Sequence, residues 1–155
     1  MDDNIFLKSK VNILIAEDDD DDYLLIQEAL TDAHVINPHF RVTNGEELIL
    51  FLKRQPPYEK YKNTPLPAII LLDLNMPKVD GRQALEQIRK DPSLRRLPVV
   101  ILTTSKSQED IISSYEIGAN CYIRKPIDFS ELIQVIKAFK KFWIEIVELP
   151  DNNNI

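Results

Sequence analysis

The 155 residues predict a doubly wound α/β fold, a mainly parallel sheet with helices on both faces. Three observations lead there. Five short apolar or β-branched runs alternate with five helical patterns, an order that implies right-handed βαβ crossovers. Two of the runs, 68–73 and 97–103, are apolar almost throughout, as strands covered on both sheet faces are. The apolar runs also stop at polar or charged residues, and sheets of this kind bind ligands at the carboxyl ends of their strands.

Residues 11–16 form the first strand-length run, which stops at six consecutive acids, Glu17 to Asp22. Tyr23, Leu24, Ile26, Ala29 and Leu30 then recur at helical spacing and predict a helix to about Ala33. Residues 39–43 read as a weak second strand, and Asn44-Gly45 opens a helix with Leu48, Ile49, Phe51 and Leu52 on its apolar side. Residues 55–67 hold four prolines and several charges and predict an exposed loop. The strand over 68–73 is the candidate for the sheet centre. A turn at Pro77 and Gly81 leads to a helix carrying Ala84, Leu85 and Ile88, and the strand over 97–103 follows. A helix over 107–117, stopped by Gly118, precedes a strand over 119–124 and a last helix over 128–149. The expected division is an N-terminal extension over 1–9, one domain over 10–149 with an extended C-terminal helix, and a tail over 150–155.

Composition narrows the function classes. Apolar residues make up 44% and charged residues 28%, which excludes disorder, collagen-like repeats and coiled coil as whole-chain descriptions. No apolar run reaches the ~18–20 residues of a membrane span, and the acidic start does not resemble a secretory signal, so a cytoplasmic location is expected. Cys121 is alone and reads as a small buried hydrophobe. The 19 basic and 25 acidic side chains leave a net charge of −6, which disfavours direct nucleic acid binding.

The strand ends carry the chemistry. Glu17 and Asp18 follow the first strand, Asp73 ends the third, Thr103 and Thr104 close the fourth, and Lys125-Pro126 follows the fifth. Three carboxylates brought to one small area repel one another unless a cation neutralises them, so the cluster calls for a divalent metal. Oxygen-only ligands select Mg2+, with Mn2+ or Ca2+ as substitutes, over zinc. Mg2+ leaves room for a phosphoryl group, to which Lys125 offers a charge and Thr103 a hydroxyl donor. Asp73 is the candidate nucleophile of an aspartyl phosphate.

The motifs Ile13-Leu-Ile-Ala-Glu-Asp18, Leu71-Leu-Asp-Leu-Asn-Met-Pro-Lys-Val-Asp-Gly81, Leu97-Pro-Val-Val-Ile-Leu-Thr-Thr104 and Tyr122-Ile-Arg-Lys-Pro126 stand in this order. Each alone is weak. Together they resemble the receiver domain of two-component response regulators, over roughly residues 10–141. The resemblance implies a flavodoxin-like sheet in order 2-1-3-4-5. It also implies that Asp73 accepts a phosphoryl group from a sensor histidine kinase or phosphotransfer protein. Mg2+ would sit on Glu17, Asp18, Asp73 and the backbone carbonyl of Asn75. Thr103 would move toward the phosphoryl group, Tyr122 would change rotamer with it, Lys125 would pair with the phosphate, and the Lys125–Pro126 bond would be cis.

Glu17 departs from the more frequent Asp of the family, and Asn75 and Ser105 occupy positions that tune phosphate lifetime there. The Pro-rich loop and the long C-terminal helix resemble more narrowly the single-domain regulators that partner bacterial phytochrome-type kinases. The function implied is a stand-alone response regulator in a phosphorelay, a switch of conformation and of partner or dimer binding. Only slow self-dephosphorylation is expected as enzymatic activity. A phosphohydrolase would need a second acid at position 75, where Asn75 stands, and the intact acidic set speaks against a constitutive scaffold. The acids Asp19 to Asp22 read as a helix cap without a metal role, and His34 and His39 as surface or helix-end residues. In the last helix Leu132, Val135, Ile136 and Phe139 form a buried stripe, while the segment with Phe142 and Trp143 is apolar on several sides. It predicts a homodimer surface.

Overall fold

The computed structural model describes residues 11–151. The expected N-terminal extension over 1–9 lies outside the described residues, as does the tail beyond Asp151. Five parallel strands form one sheet in the order β2-β1-β3-β4-β5. They are β1 (Ile13–Ala16), β2 (His39–Val42), β3 (Ile69–Leu72), β4 (Val99–Thr103) and β5 (Cys121–Arg124). The helices between and after them are α1 (Asp20–Asp32), α2 (Gly45–Leu52), α3 (Gly81–Lys90), α4 (Gln108–Ile117) and α5 (Phe129–Phe139). The expected fold class and strand order are both observed.

Side-chain alternation along the central strands builds two cores. Leu14, Ala16, Ile70, Leu72, Val99 and Ile101 face one side and bury Leu48 and Phe51 of α2 and Ala84, Leu85 and Ile88 of α3. Ile13, Ile15, Ile69, Leu71, Val100 and Leu102 face the other, against Ile26, Ala29 and Leu30 of α1 and Leu132, Ile136 and Phe139 of α5. The nearly continuous apolar runs of β1, β3 and β4 follow from this double coverage. Each helix starts on a side-chain cap: Asp19, Asn44, Asp80, Ser107 and Asp128 each accept a backbone N–H two or three residues on. In α3 Gln83 returns the bond to the backbone N–H of Asp80, completing a capping box.

Three expectations need correction. The Pro-rich segment is not a bare exposed loop, because around a 3-10 turn (Glu59–Tyr61) Tyr58 packs edge-on against Phe51 and Tyr61 edge-on against Phe40, extending the core beneath β2. The last helix does not run regularly to Leu149. After Phe139 it widens into π-helical turns (Lys140–Ile146), and Val147 leaves the helix with ψ 151° while its N–H still reaches the Phe142 carbonyl. Leu149 precedes Pro150, whose ring disfavours helical backbone in the residue before it. Among the described residues only Pro56–Pro57 is a cis peptide bond, so Lys125–Pro126 is trans, the isomer preferred by about 0.5–1 kcal/mol in X–Pro bonds. His39 also differs from expectation, being half-buried in β2 beside the Tyr23 ring.

Gly81 is required where it stands. Its N–H donates to the Leu74 carbonyl at 2.9 Å, and a Cβ there would lie 2.3 Å from the Asp73 carbonyl oxygen and 2.7 Å from the Leu74 Cα. Both neighbours are backbone, so α3 and the turn after β3 would have to separate. Gly81→Ala is expected to destabilise the fold by about 1–3 kcal/mol, the usual cost of an overpacked contact, read as a lower urea midpoint. An unchanged midpoint would show that the α3 start can shift freely.

Candidate functional site

The carboxyl edge of the sheet is assembled by backbone bonds that continue the ladders just past the strands. Glu17 N–H donates to the Val42 carbonyl at 3.0 Å, Asp73 N–H to the Ala16 carbonyl at 3.0 Å, and Lys125 N–H to the Thr103 carbonyl at 2.6 Å. Glu17, Asp73, Thr103 and Lys125 are therefore fixed by the same registers that fix the sheet. All four are buried, whereas Asp18 and Asn75 are exposed at the mouth.

One carboxylate oxygen from each of Glu17, Asp18 and Asp73 lies within 4.8 Å of the others. Lys125 Nζ stands among carboxylates, 2.6 Å from Glu17 Oε1, 3.4 Å from Asp22 Oδ2 and 3.8 Å from Asp73 Oδ2. Asp73 Oδ1 accepts the Asn75 N–H at 3.3 Å. The Glu17 carboxyl is pushed up to about 9, by burial first and by the neighbouring Asp73 carboxyl second, with the Lys125 ammonium opposing both. Burial alone would lower Lys125, but its bond to Glu17 and the charges of Glu17, Asp73 and Asp22 outweigh it and hold the ammonium above its ordinary range.

Among the described residues three buried side-chain atoms find no partner, Arg41 Nη2 and, at this edge, Glu17 Oε2 and Thr103 Oγ1. A buried polar atom left unpaired costs about 1–3 kcal/mol, so the site is built to receive something. Glu17, Asp18 and Asp73 offer only oxygens, a donor set suited to a hard divalent cation and not to zinc.

Tyr122 sits on β5, half-buried, and its hydroxyl donates to the Ser105 carbonyl at 2.8 Å, in the loop that follows Thr103. Its own N–H donates to the Tyr115 hydroxyl of α4 at 3.1 Å. Ser105 Oγ donates to Asp110 Oδ2 at 2.5 Å, and the other oxygen of Asp110 pairs with Arg82 of α3. The structure sets Glu17, Asp18, Asp73 and Lys125 against one another, with Asn75 tied to Asp73 through its N–H and Thr103 to Lys125 through its backbone carbonyl, while Tyr122 reaches the loop at Ser105. Sequence reasoning missed Asp22. Asp19 alone caps α1, accepting the Asp22 N–H at 2.9 Å, and this leaves the Asp22 side chain free to lean over the site toward Lys125.

Residues 13–137 match the response regulator receiver domain. The chain belongs to that family. It is 41% identical over 138 residues to response regulator Rcp1 of Synechocystis sp., covering 89% of this chain and 92% of Rcp1. The crystal structure of the Mn2+-bound form of Rcp1 superposes with a TM-score of 0.81, covering 90% of this chain and 99% of that one. The phosphorylated cyanobacterial phytochrome response regulator RcpA has a TM-score of 0.84 at 41% identity, covering 92% and 99%. RPA3017, a response regulator in red light signaling of R. palustris, has a TM-score of 0.85 at 34% identity, covering 90% and 98%. Response regulator receiver domains of two-component systems are in general phosphoacceptor switches that bind Mg2+ or Mn2+ at an acidic cluster. Among the described residues no helix is long and apolar enough to cross a membrane.

The buried Glu17 of this receiver domain makes a pH prediction. With its folded pKa raised to about 9 from the ordinary 4.5, the folded protein keeps a proton that the unfolded chain has released in between. The folded state then binds more protons than the unfolded one, and stability from this group falls as pH rises through that window. In EDTA, the urea midpoint of Glu17→Gln should gain on wild type between pH 5 and pH 9. Parallel midpoints across that range would refute the assignment.

Proposed function

We propose that the protein is a stand-alone response regulator that accepts a phosphoryl group on Asp73 from a sensor histidine kinase or phosphotransfer protein. A carboxylate oxygen of Asp73 attacks phosphorus, the P–N bond of the donor phosphohistidine breaks, and the departing imidazole nitrogen takes up a proton. Glu17, Asp18, Asp73 and the Asn75 carbonyl would hold Mg2+, which supplies positive charge to the transferred group. Lys125 supplies the protein's own cation to that group, and Thr103, with its hydroxyl unpaired, donates to a phosphoryl oxygen. As Thr103 moves, the Ser105 carbonyl that holds the Tyr122 hydroxyl moves with it, so Tyr122 changes place together with the loop.

The observation that carries this reading is the placement of one buried ammonium against Glu17 and Asp73, on the residue whose backbone bonds to Thr103, whose buried hydroxyl is unpaired. Rcp1 and RcpA, matched over 92% and 99% of their own length, support a regulator of their kind. Their similarity and that of RPA3017 support a kinase of the phytochrome type as partner and a cytoplasmic site of action. The domain is taken as residues 10–149, with neither direct nucleic acid nor membrane contact.

In Mg2+ with acetyl phosphate, intact mass should show a phosphate-sized gain that disappears in Asp73→Asn and when EDTA replaces the metal. A gain that survives in Asp73→Asn would move the acceptor elsewhere.

Phosphorylation would be read out through partner or dimer binding. Phe142 and Ile146 are each more than half exposed on the π-helical segment, while Ile144 and, in part, Trp143 pack onto the α1–α5 core. We propose this region as a homodimer surface. Sedimentation should show a dimer at tens of micromolar that weakens in Phe142→Ser, and a monomer with and without acetyl phosphate would overturn it.

A further inference from the structure

Among the described residues Lys125 is the cation that pairs with the carboxylates of Glu17 and Asp73, and it is shared with Asp22. Glu17 Oε1, at 2.6 Å, takes one of its N–H groups outright. Asp22 Oδ2 at 3.4 Å and Asp73 Oδ2 at 3.8 Å compete for what remains. Coulomb attraction falls as the inverse of distance, so these two carboxylates pull on the ammonium almost equally. Their circumstances differ, however. Asp73 is buried and has a backbone N–H as its other partner, whereas the Asp22 side chain is 38% exposed and can be solvated by water. Asp22 therefore has no need of Lys125, yet from the first turn of α1 it lies slightly closer to the ammonium than the acceptor does, at 3.4 Å against 3.8 Å.

We propose that Asp22 is a positioning residue for phosphoryl transfer, restraining Lys125 in the resting state and so setting the population of the phosphorylated state. The inference rests on the phosphoacceptor reading above. A phosphoryl group on Asp73 adds negative charge on that side and draws Lys125 from Asp22 to itself. The Asp22 contact is then made in one state and weakened in the other, and a contact that differs between two states biases their equilibrium. Asp22 also adds a negative charge near a site that must accept an anion.

The test uses the full chain and beryllofluoride, an anion that mimics the phosphoryl group on a carboxylate, titrated calorimetrically in saturating Mg2+. Mg2+ alone is titrated separately. Asp22→Asn keeps the size of the side chain and the backbone N–H that Asp19 caps, so α1 is retained. It should bind beryllofluoride about two- to fivefold tighter than wild type, the span of a partly exposed ion pair. Its phosphoprotein, made with acetyl phosphate, should decay more slowly. Asp22→Glu, which keeps the charge and can still reach Lys125, should stay near wild type. Asp21→Asn removes the same charge from the same helical turn without touching Lys125 and should leave affinity unchanged.

Equal affinities for Asp22→Asn and wild type, or weaker binding by Asp22→Asn, overturn the inference alone. So does an equal gain in Asp21→Asn, which would assign the effect to the general field of the helix. An Asp22→Asn effect confined to the Mg2+ titration does the same. Wild type that binds no beryllofluoride, or binds it equally in Asp73→Asn, overturns the phosphoacceptor reading and this inference with it.

Discussion

One ammonium among four carboxylates is the constraint on which the rest of this structure depends. Lys125 is 7% exposed and Glu17 1%, and an ammonium at such depth needs an oxygen to accept its N–H groups, which Glu17 Oε1 supplies. Their contact, Nζ to Oε1 at 2.6 Å, joins the first strand of the chain to its last across 108 positions of sequence. It forms with β1 beside the central β3 and with β4 carrying β5 on its far side, the observed order. Every other feature of the edge follows from supporting that pair. Ladder bonds fix both backbones, Asp73 and Asp18 close the oxygen set, and the Glu17 oxygen facing away from Lys125 is left without a partner in the protein. A site that is stable alone would leave no such atom. This one stays incomplete and anionic, the condition for taking up a divalent cation and, with it, a phosphoryl group.

Much of this was legible in the sequence, because the fold writes its own punctuation. A strand buried on both faces must be apolar until it reaches the sheet edge, so the first polar residue after each run marks the edge. Glu17, Asp73 and Thr103 stand out in this way, whereas Lys125, one residue past Arg124, stands out by preceding Pro126 after the fifth strand. The caps were legible for a related reason, since Asp19, Asn44, Asp80, Ser107 and Asp128 precede helical patterns and have short oxygen-bearing side chains suited to the first N–H groups. What escaped depends on direction, which periodicity does not encode. Six acids in a row look alike on paper, and only the angle at which α1 leaves β1 decides that Asp19 turns back to its helix while Asp22 reaches Lys125. Likewise Tyr58 and Tyr61 lie in a proline-rich, charged stretch that reads as surface, yet Phe51 and Phe40 supply an aromatic ledge for them. The end of the last helix was overrun because apolar residues continue through Leu149, whereas Pro150 sets the backbone before it.

The two sides of the edge are tied to different parts of the molecule. On the Thr103 side, the following loop is held by Tyr122 through the Ser105 carbonyl and by Asp110 through the Ser105 hydroxyl, and Asp110 is held in turn by Arg82. Tyr115 adds a bond to the backbone of β5, satisfying an N–H that an edge strand would otherwise expose. The segment after β4 is thus continuous, through hydrogen bonds and one ion pair, with α4 and α3. On the Lys125 side, the ammonium reaches α1 through Asp22, and α1 packs against α5 and the π-helical segment beyond it. Closely packed elements pass on displacement without absorbing it. On the phosphoacceptor reading proposed above, a change in the charge of Asp73 would act in two directions at once, toward α3 and α4 by way of the Thr103 loop and toward α1 and α5 through the Lys125 ammonium. The first path is short and rigid. The second runs through a partly exposed contact that water can replace, which makes it the adjustable one, and it leads to the face where Phe142 and Ile146 stand exposed.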